Sequence, residues 1–250
     1  MTRRESVLRE MGLAPLWRLR DKSAQTAETP GEPETPRSET PAAAPAGDAR
    51  TQRIAAMGWD ELRTAVADCR DCRLCEKRKQ SVLGVGDLEA DWLFVGEGPG
   101  ADEDEKGEPF VGQAGRLLDA MLAAIDLQRG RKVYISNAVK CRPPGNRTPE
   151  AEETAACFPY LQRQIELIKP KLIVALGKPA AETLLDTEVK VGAARGRLHD
   201  YRGIPLIVTY HPAYLLRNLT DKAKAWEDLC FARRTMQGLS DADLKAEQTP

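Results

Sequence analysis

The chain carries four short, continuous apolar runs separated by longer segments whose apolar residues recur at helical spacing. The runs predict strands at 92–96, 132–136, 171–176 and 205–209. The segments between them predict helices at 112–126, 150–168, 178–185 and 221–236. Because runs such as LIVALG leave no polar face, both sides of each strand are expected to be covered. The pattern therefore predicts an α/β fold, a three-layer α/β/α sandwich around a central, mostly parallel four-stranded sheet.

The two ends of the chain differ in composition from its middle. Residues 21–50 are rich in Pro, Ala, Glu and Thr, a composition that cannot offset the entropy lost on folding. We predict a disordered extension at 1–50, a folded catalytic domain at 51–237 and a flexible tail at 238–250. Apolar residues among arginines at 3–20 predict a short helix, which either docks on a partner protein or packs on the body of the chain.

Composition and charge narrow the class of protein. The 250 residues carry a net charge of −1, so the total charge gives no indication of a nucleic-acid partner. Only local basic clusters, such as Arg142 with Arg147, favour one. The sequence has no signal peptide and no apolar run long enough to span a bilayer. We therefore predict a cytoplasmic protein without membrane contact.

Six cysteines in a reducing compartment favour metal binding over disulfides. Cys69 and Cys72 form a CxxC pair, and Cys141 and Cys157 follow far downstream. Four thiolates can hold structural zinc or a [4Fe–4S] cluster. Zinc usually takes two closely spaced pairs, so the wide second spacing counts against zinc without excluding it. Cys75 extends the pair to CxxCxxC and could compete with Cys72 as a ligand.

The segment WLFVGEGPGADEDEKGEPFVGQAGRLL (92–118) predicts a strand, a glycine-rich loop and a helix. Gly98 and its neighbouring glycines let the backbone approach a ligand closely, and Glu97 places a carboxylate where the strand ends. In open α/β sheets ligands bind at that end of the strands. A phosphate-binding loop is the alternative, but GEGPG lacks the GxGxxG spacing, and the acidic residues that follow would repel a pyrophosphate.

Three further residues are candidates for the same site. Phe110 follows the acidic loop, Asn137 ends the strand VYISN, and His211 opens HPAYLLR just after another strand. Each also has a structural interpretation, as a core Phe, a turn-capping Asn or a capping His. The second histidine, His199, lies in GRLHDYRG, which predicts a surface hairpin.

With PFVGQAG (109–115), YISNAVKCRPPGNRTP (134–149) and HPAYLLR (211–217), the glycine-rich loop resembles the motifs of the family-4 uracil-DNA glycosylases. These bacterial and archaeal enzymes are the iron-sulfur branch of their superfamily. The resemblance covers residues 68–234 and implies the same α/β/α fold. It further implies a monomeric, monofunctional enzyme that flips uracil out of DNA and hydrolyses its N-glycosidic bond, leaving an abasic site for base excision repair. Single- or double-stranded DNA of the nucleoid would be the substrate.

The resemblance also implies roles for individual residues. Glu97 is expected to position or activate water and to stabilise the cationic sugar, and His211 to donate to the departing uracil. Phe110 is expected to stack on the base and Asn137 to read its edge. The other expected substrate contacts are Gly98, Glu103, Tyr214, Leu215, Leu216, Arg217, Arg142 and Arg147. The expected ligands of the [4Fe–4S] cluster are Cys69, Cys72, Cys141 and Cys157.

Within that set, Glu103 is expected to face the base and to help refuse the methyl group of thymine, while its acidic neighbours, Asp104 among them, form a solvated face. Residues 214–217 are expected to enter the DNA at the vacated base as an apolar wedge with a basic anchor. Arg142 and Arg147 lie in a proline-stiffened loop that suits a phosphate backbone.

Two other functions remain open on the sequence alone. One is a non-catalytic iron-sulfur module that binds DNA, although such a module would not need Glu97, Asn137 and His211 together. The other is a related glycosylase that crosslinks covalently to uracil DNA through a histidine in a basic insertion. The matching loops, at 100–112 and 142–149, contain no histidine, which argues against covalent trapping.

Overall fold

A computed structural model describes the backbone of residues 46–247 and the side chains of residues 49–239. The docking helix predicted at 3–20, and the predicted extension up to residue 45, lie outside this part of the chain. The first described helix begins at Ala46, ahead of the predicted domain boundary at residue 51. The last helix continues to Glu247, so the predicted end of the domain at residue 237 falls inside a helix.

Helices and strands alternate through most of the described chain. The helices are α1 (Ala46–Ala55), α2 (Trp59–Asp68), α3 (Ala101–Lys106), α4 (Gln113–Ala123), α5 (Ala151–Ile168), α6 (Lys178–Leu185), α7 (Val191–Ala194), α8 (Pro212–Arg217) and α9 (Lys222–Glu247). The strands are β1 (Val85–Gly86), β2 (Trp92–Gly96), β3 (Val133–Asn137), β4 (Leu172–Leu176), β5 (Leu198–Tyr201) and β6 (Ile204–Thr209). None of the described helices is long and apolar enough to cross a membrane.

The six strands of this sheet lie in the order β1-β3-β2-β4-β6-β5. The central pairs, β3 with β2, β2 with β4, and β4 with β6, are parallel. These are the four predicted strands, so the predicted parallel sheet is confirmed. The two edge pairs are antiparallel: β1 pairs with β3, and β5 forms with β6 the hairpin predicted around His199. Strand β1 was not predicted, because two residues carry no readable pattern.

Alternate side chains of the central strands pack on opposite faces of the sheet. In β2, Trp92 and Phe94 join one core with α4 and α9, whereas Leu93 and Val95 join the other with α5 and α6. All five residues of β2 are buried. Burial on both faces explains the continuous apolar runs in the sequence and confirms the three-layer sandwich.

A third core lies where α1 and α2 pack on α5. In the sequence, Ile54, Leu62 and Val66 predict one helix from near residue 51 to Cys69. All three residues are buried in this core beside Cys141 and Cys157. The predicted single helix is two helices, because the chain turns between Ala55 and Trp59. This core surrounds the cysteine-rich segment.

Two local predictions were wrong. Thr148 stands before Pro149 and a run of acidic residues, which predicts it as the N-cap of α5. The N-cap is instead Glu150, whose backbone N–H donates to the Glu153 carboxylate at 2.8 Å. Asp104, expected on a solvated face, is only 2% exposed and accepts a hydrogen bond from the backbone N–H of Lys79 at 2.9 Å. In both cases the acidic side chain accepts a hydrogen bond from a backbone N–H, which is close in sequence for Glu153 and 25 residues away for Asp104.

Candidate active site and cysteine cavity

A cleft of about 630 Å³ opens at the carboxyl ends of the parallel strands. Each strand contributes to its wall at the point where it ends. Glu97 follows β2, Asn137 ends β3, Gly177 follows β4 and His211 comes shortly after β6. Because the carboxyl ends of parallel strands meet at one edge of a sheet, residues far apart in sequence converge in this cleft.

Most of the predicted site residues lie together in this cleft. Those that line it are Glu97, Gly98, Glu103, Phe110, Asn137, Arg147, His211, Tyr214 and Arg217. Three predicted contacts, Arg142, Leu215 and Leu216, do not line it. The sequence therefore located the cleft, although the structure gives several of these residues a different task.

Asn137 is the polar centre of the cleft. Its side chain is 2% exposed, and its Oδ1 has no hydrogen-bond partner among the described residues. A Cβ at Gly96 would lie 2.5 Å from Asn137 Oδ1 and 2.5 Å from Phe110 Cζ, so only glycine leaves room for both groups. A buried amide oxygen without a partner is costly, which favours a ligand that supplies one.

Phe110 forms an aromatic wall beside this amide and has a strained backbone. It is 5% exposed and has a φ of 55°, in the left-handed region. Arg129 holds the loop by donating to the carbonyl oxygens of Pro109 at 2.8 Å and Phe110 at 2.9 Å. A Cβ at Gly115 would lie 1.7 Å from the Phe110 carbonyl oxygen, so α4 approaches the loop closely only through glycine. The fixed backbone positions the ring.

Glu103 has a different role from the predicted one. Its carboxylate accepts hydrogen bonds from the backbone N–H groups of Gly100 at 3.0 Å, Val111 at 2.9 Å and Gly112 at 3.0 Å. The side chain thus caps α3 and fixes the end of the Phe110 loop. With both oxygens engaged, Glu103 supports the aromatic wall and does not present its carboxylate to a base.

His211 is the N-cap of α8, and its hydrogen bond fixes the tautomer. The backbone N–H of Ala213 donates to Nδ1 at 3.1 Å, so Nδ1 is unprotonated and the proton lies on Nε2. Burial, with a smaller contribution from Arg217, lowers the pKa of His211 to about 4. The ring centroid lies 5.4 Å from that of Phe110. The cleft therefore holds a neutral imidazole that donates through Nε2.

Glu97 carries the carboxylate of the cleft. Burial raises its pKa above the ordinary value, and a hydrogen bond with the Thr148 side chain opposes that shift. Thr148 itself lines the cleft and was not identified from the sequence as a site residue. Since water screens the carboxylate poorly here, its negative charge interacts strongly with any positive charge that forms nearby.

Helix α8 distributes its residues differently from the predicted wedge. Leu215 is 1% exposed and packs in the core, so it cannot enter DNA, whereas Leu216 is 38% exposed. Tyr214 donates its hydroxyl to Asp221 at 2.7 Å and stacks on Tyr210 at 5.2 Å. Arg217 is exposed and forms no ion pair with a residue in the described range. The helix period thus leaves Leu216 and Arg217 facing outward.

The two arginines of the predicted phosphate loop are engaged within the protein. Arg147 donates to both oxygens of Glu153, at 2.8 and 2.6 Å, and Arg142 donates through Nε to Asn146 at 2.7 Å. The bidentate pair ties the loop to α5 and balances the charge of Arg147. Arg142 is therefore the better candidate of the two for a phosphate contact.

The four cysteines of the predicted ligand set lie together. Cys69, Cys72, Cys141 and Cys157 line one small cavity, which does not include Cys75. All four are free thiols. Among the described residues, no three side chains of the metal-binding types converge on a single ion site. The four thiols instead surround a space, as ligands of a multi-iron cluster do, with one thiolate on each iron.

Two cations line the same cavity. Arg78 donates from Nη1 to Cys141 Sγ at 2.8 Å, and the backbone N–H of Lys140 donates to Cys157 Sγ at 3.2 Å. Burial raises the pKa of Cys141 to about 11 and that of Cys157 to about 12. Buried thiols of this kind become thiolates when bound metal supplies positive charge, so the donor set fits an iron-sulfur cluster.

Lys140, the lysine within the motif that contains Asn137, lies outside the cleft. It is 1% exposed, and its Nζ donates to Ser136 Oγ and to the Asn137 carbonyl, both at 2.7 Å. Burial lowers its pKa to about 8, and the neighbouring Cys157 and Cys141 oppose that shift. In the sequence, the only indication of a role for Lys140 is its position between Asn137 and Cys141.

The cleft lies at the carboxyl edge of an α/β/α sheet. It combines an unpartnered amide and an aromatic wall with a neutral imidazole and a half-buried carboxylate. This combination defines an enzyme that binds a flat, polar ring. The sequence profile of the uracil DNA glycosylase superfamily matches residues 83–230. The chain belongs to this superfamily.

Similar proteins carry more specific names. The chain is 41% identical over 183 residues to a type-4 uracil-DNA glycosylase of Pyrobaculum aerophilum, a match that spans 70% of this chain and 93% of that protein. A type-4 enzyme of Archaeoglobus fulgidus is 45% identical over 165 residues, 63% of this chain and 82% of the relative. One of Thermotoga maritima is 46% identical over 161 residues, 64% and 83% respectively.

Proposed function

We propose that this protein removes uracil from DNA by hydrolysing the N-glycosidic bond, leaving an abasic site for base excision repair. The buried amide of Asn137, unpartnered beside the ring of Phe110, carries this proposal. In this proposal, the amide pairs with the edge of a base that stacks on the ring of Phe110. The names of the type-4 relatives support the same activity.

Uracil matches the donor and acceptor pattern of this amide. The amide nitrogen of Asn137 donates to uracil O4 while Oδ1 accepts from N3–H. Cytosine has an exocyclic amine where uracil has O4, and its N3 carries no hydrogen, so both contacts are lost. In a dry cleft the mismatched groups stay unpaired, which discriminates strongly between the two bases.

Bond cleavage separates charge, and the cleft has one group for each charge. The sugar becomes cationic, and Glu97, whose carboxylate is poorly screened, stabilises it and orients the attacking water. The departing base becomes anionic, and His211 donates to uracil O2 through Nε2. Because His211 is neutral, it acts as a hydrogen-bond donor and retains its proton.

The exposed residues of α8 suit the DNA around the flipped nucleotide. Arg217 lines the cleft and Leu216 is its exposed neighbour, so a side chain can fill the vacated base position and a cation can meet a phosphate. Arg142 is a second phosphate contact. Uracil is reached in single strands directly, and in duplexes only after extrusion of the nucleotide, which costs unstacking energy.

We also propose that Cys69, Cys72, Cys141 and Cys157 hold a [4Fe–4S] cluster. The shared cavity and the hydrogen bonds from Arg78 and Lys140 to the sulfurs support this ligand set. Such a cluster would cross-link α2 to α5 and to the segment after β3, so its contribution is structural. The chain's own residues perform the hydrolysis, which transfers no electrons.

The test of function uses four matched oligonucleotides that contain uracil, cytosine, thymine or hypoxanthine at one position, each single-stranded and in a duplex. Single-turnover incubation followed by alkali should cleave the uracil strands and leave the cytosine and thymine strands intact. Binding without cleavage would identify a DNA-binding module instead. A protein–DNA adduct that survives denaturant would identify a covalent crosslinking enzyme. The hypoxanthine strand measures how far the cleft tolerates other bases.

The cluster has a separate test. Purified protein should be brown and carry about four irons per chain, and stoichiometric zinc without iron would contradict the proposal. Cys157→Ala should lower the iron content and the soluble yield. Cys75→Ala is the matched control, because Cys75 lies outside the cavity and its loss should leave the iron content unchanged.

The N-terminal extension is proposed to contribute nothing to the chemistry and to bind a partner protein through 3–20. The deletion that tests this should end at residue 45, because Arg50 donates to the Ala156 carbonyl at 2.9 Å and belongs to the described domain. Single-turnover uracil release should change by less than about tenfold, roughly 1.4 kcal/mol of barrier. Sedimentation should show a monomer, and we expect the enzyme to act on cytoplasmic, nucleoid DNA.

A further inference from the structure

Lys140 is a buried cation that forms no ion pair with any described carboxylate. Only 1% of it is exposed, and its ammonium donates to two neutral oxygens, those of Ser136 and the Asn137 carbonyl. No described carboxylate forms an ion pair with it. Burying a charge without a counter-charge is among the most costly arrangements in a protein.

The buried carboxylates of the described chain are all engaged elsewhere. Asp104 accepts from the backbone of Lys79, Glu153 pairs with Arg147, and Asp228 pairs with Arg195. None of the three can balance Lys140. The charge that balances it must therefore come from another kind of group.

The cysteine cavity supplies such a group. Lys140 lines this cavity with Cys141 and Cys157, and its own backbone N–H donates to Cys157 Sγ at 3.2 Å. Four thiolates on a [4Fe–4S] cluster carry net negative charge, so an adjacent ammonium is stabilised there. The cavity and the cation are complementary.

The ammonium group of Lys140 also contacts the end of β3, from which Asn137 reaches the cleft. Its Nζ holds the backbone carbonyl of Asn137, the residue whose amide reads the base, at 2.7 Å. Ser136, its second partner, is fixed in turn by Gln164 Oε1 at 3.0 Å and the Leu83 carbonyl at 3.2 Å. The ammonium thus stands between the cluster site and the carboxyl end of β3.

We propose that Lys140 is a positioning residue that couples the cluster to base recognition. It balances the charge of the cluster and holds the Asn137 backbone so that the amide points into the cleft. The inference rests on the cluster proposed above. If the cluster is lost, the ammonium loses its counter-charge and leaves its site, and the Asn137 carbonyl is released. The cluster then supports recognition of uracil as well as stability.

The test compares two substitutions in the iron-loaded enzyme. Lys140→Gln removes the charge but keeps a donor for the Asn137 carbonyl, whereas Lys140→Met removes both. Lys132→Met is the matched control, because Lys132 is exposed and comes directly before β3, whereas Lys140 follows β3. Wild-type iron content and uracil release are measured first, so failure of the cluster or of the enzyme function is recognised before the variants are compared.

The charge role predicts the cluster's behaviour. Loss of a nearby cation disfavours the reduced, more negative cluster, so its reduction potential should become more negative in both Lys140 variants and stay unchanged in Lys132→Met. A natively folded Lys140→Gln protein that cannot retain iron also supports the role, because glutamine preserves the hydrogen bond. Full iron content with an unchanged potential would overturn it.

The positioning role predicts a difference between the variants in catalysis. Lys140→Met should lower single-turnover uracil release about tenfold or more and narrow the preference for uracil over cytosine, and Lys140→Gln should retain most of both. Equal rates in the two variants and the wild type would overturn the coupling.

If neither variant folds, amide hydrogen exchange in the wild-type protein tests whether the cluster stabilises the backbone around Asn137. Iron removal should speed exchange at 137–140 but not at 172–176, and unchanged exchange at 137–140 would contradict the proposal.

Discussion

Measuring the protonation state of His211 tests directly whether the cleft holds a neutral imidazole that donates through Nε2. The imidazole is partly desolvated in the cleft, and its Nδ1 already accepts the backbone N–H of Ala213, so protonation would break that bond and bury a charge. Burial, with a smaller contribution from the charge of Arg217, lowers the pKa of His211 from 6.5 to about 4. Between these two values the unfolded chain binds a proton at this position that the folded protein does not bind.

The sign of the effect follows from this difference. The free energy of unfolding should fall as the pH drops from 6.5 towards 4, because in this range the unfolded chain binds a proton that the folded protein does not bind. Above pH 6.5 the contribution of neutral His211 to the free energy of unfolding is fully present. At 1.36 kcal/mol per pKa unit, the shift corresponds to at most about 3 kcal/mol. Other groups titrate in the same range, so the quantity to measure is the difference between the wild type and His211→Asn. The variant should lose less stability over that interval.

Nuclear magnetic resonance of ¹⁵N-histidine can observe the group itself, because the chain has only two histidines. The signals of His211 should show a proton on Nε2 at neutral pH and titrate far below 6.5. His199→Asn assigns the other signals and serves as the control for stability. A proton on Nδ1, or titration near the ordinary pKa, would refute the role of His211 as a neutral donor through Nε2. The variant His211→Ala lacks this hydrogen-bond donor. It should release uracil about 10²–10³-fold more slowly, with little change in its affinity for uracil DNA.

Three further substitutions test the other groups of the cleft. Glu97→Gln should lower the single-turnover rate with little change in DNA affinity, since an amide does not stabilise a cation. Asn137→Asp should lower uracil release and bring weak cytosine release, measured on matched oligonucleotides. Arg129→Met should free the strained Phe110 loop. It should weaken binding of the uracil strand several-fold more than it slows single-turnover cleavage at saturation. Equal effects on binding and cleavage would contradict a role of Phe110 in stacking.

The fold could be predicted because its signals are local and repeated. Each central strand is buried on both faces, so its sequence is an unbroken apolar run, and each covering helix carries apolar residues on one side. The position of the site follows from the same signals. Once the strands are parallel, Glu97, Asn137 and His211 must gather at one edge because each follows or ends a strand.

The tasks of individual side chains depended on contacts that no local pattern shows. Glu103 and Asp104 belong to one acidic run, yet backbone N–H groups of loops before and after that run select them as structural ligands. Leu215 and Leu216 are adjacent and chemically alike, and only the packing of α8 decides that one is core and the other exposed. Such differences are set by tertiary structure, which spacing in the sequence cannot specify.

The opposite pKa shifts of Glu97 and His211 share their largest cause, and both groups belong to the proposed reaction. Desolvation raises the pKa of the carboxyl group and lowers that of the imidazole, because in each case it disfavours the charged form. With an uncharged base in place, the carboxylate has no positive charge to balance it and the imidazole has no anion to receive its hydrogen bond. In the proposed reaction, the positive charge and the anion both form when the glycosidic bond breaks. The desolvation that is unfavourable in the ground state would then strengthen the interactions that form in the transition state, which is the condition for catalysis.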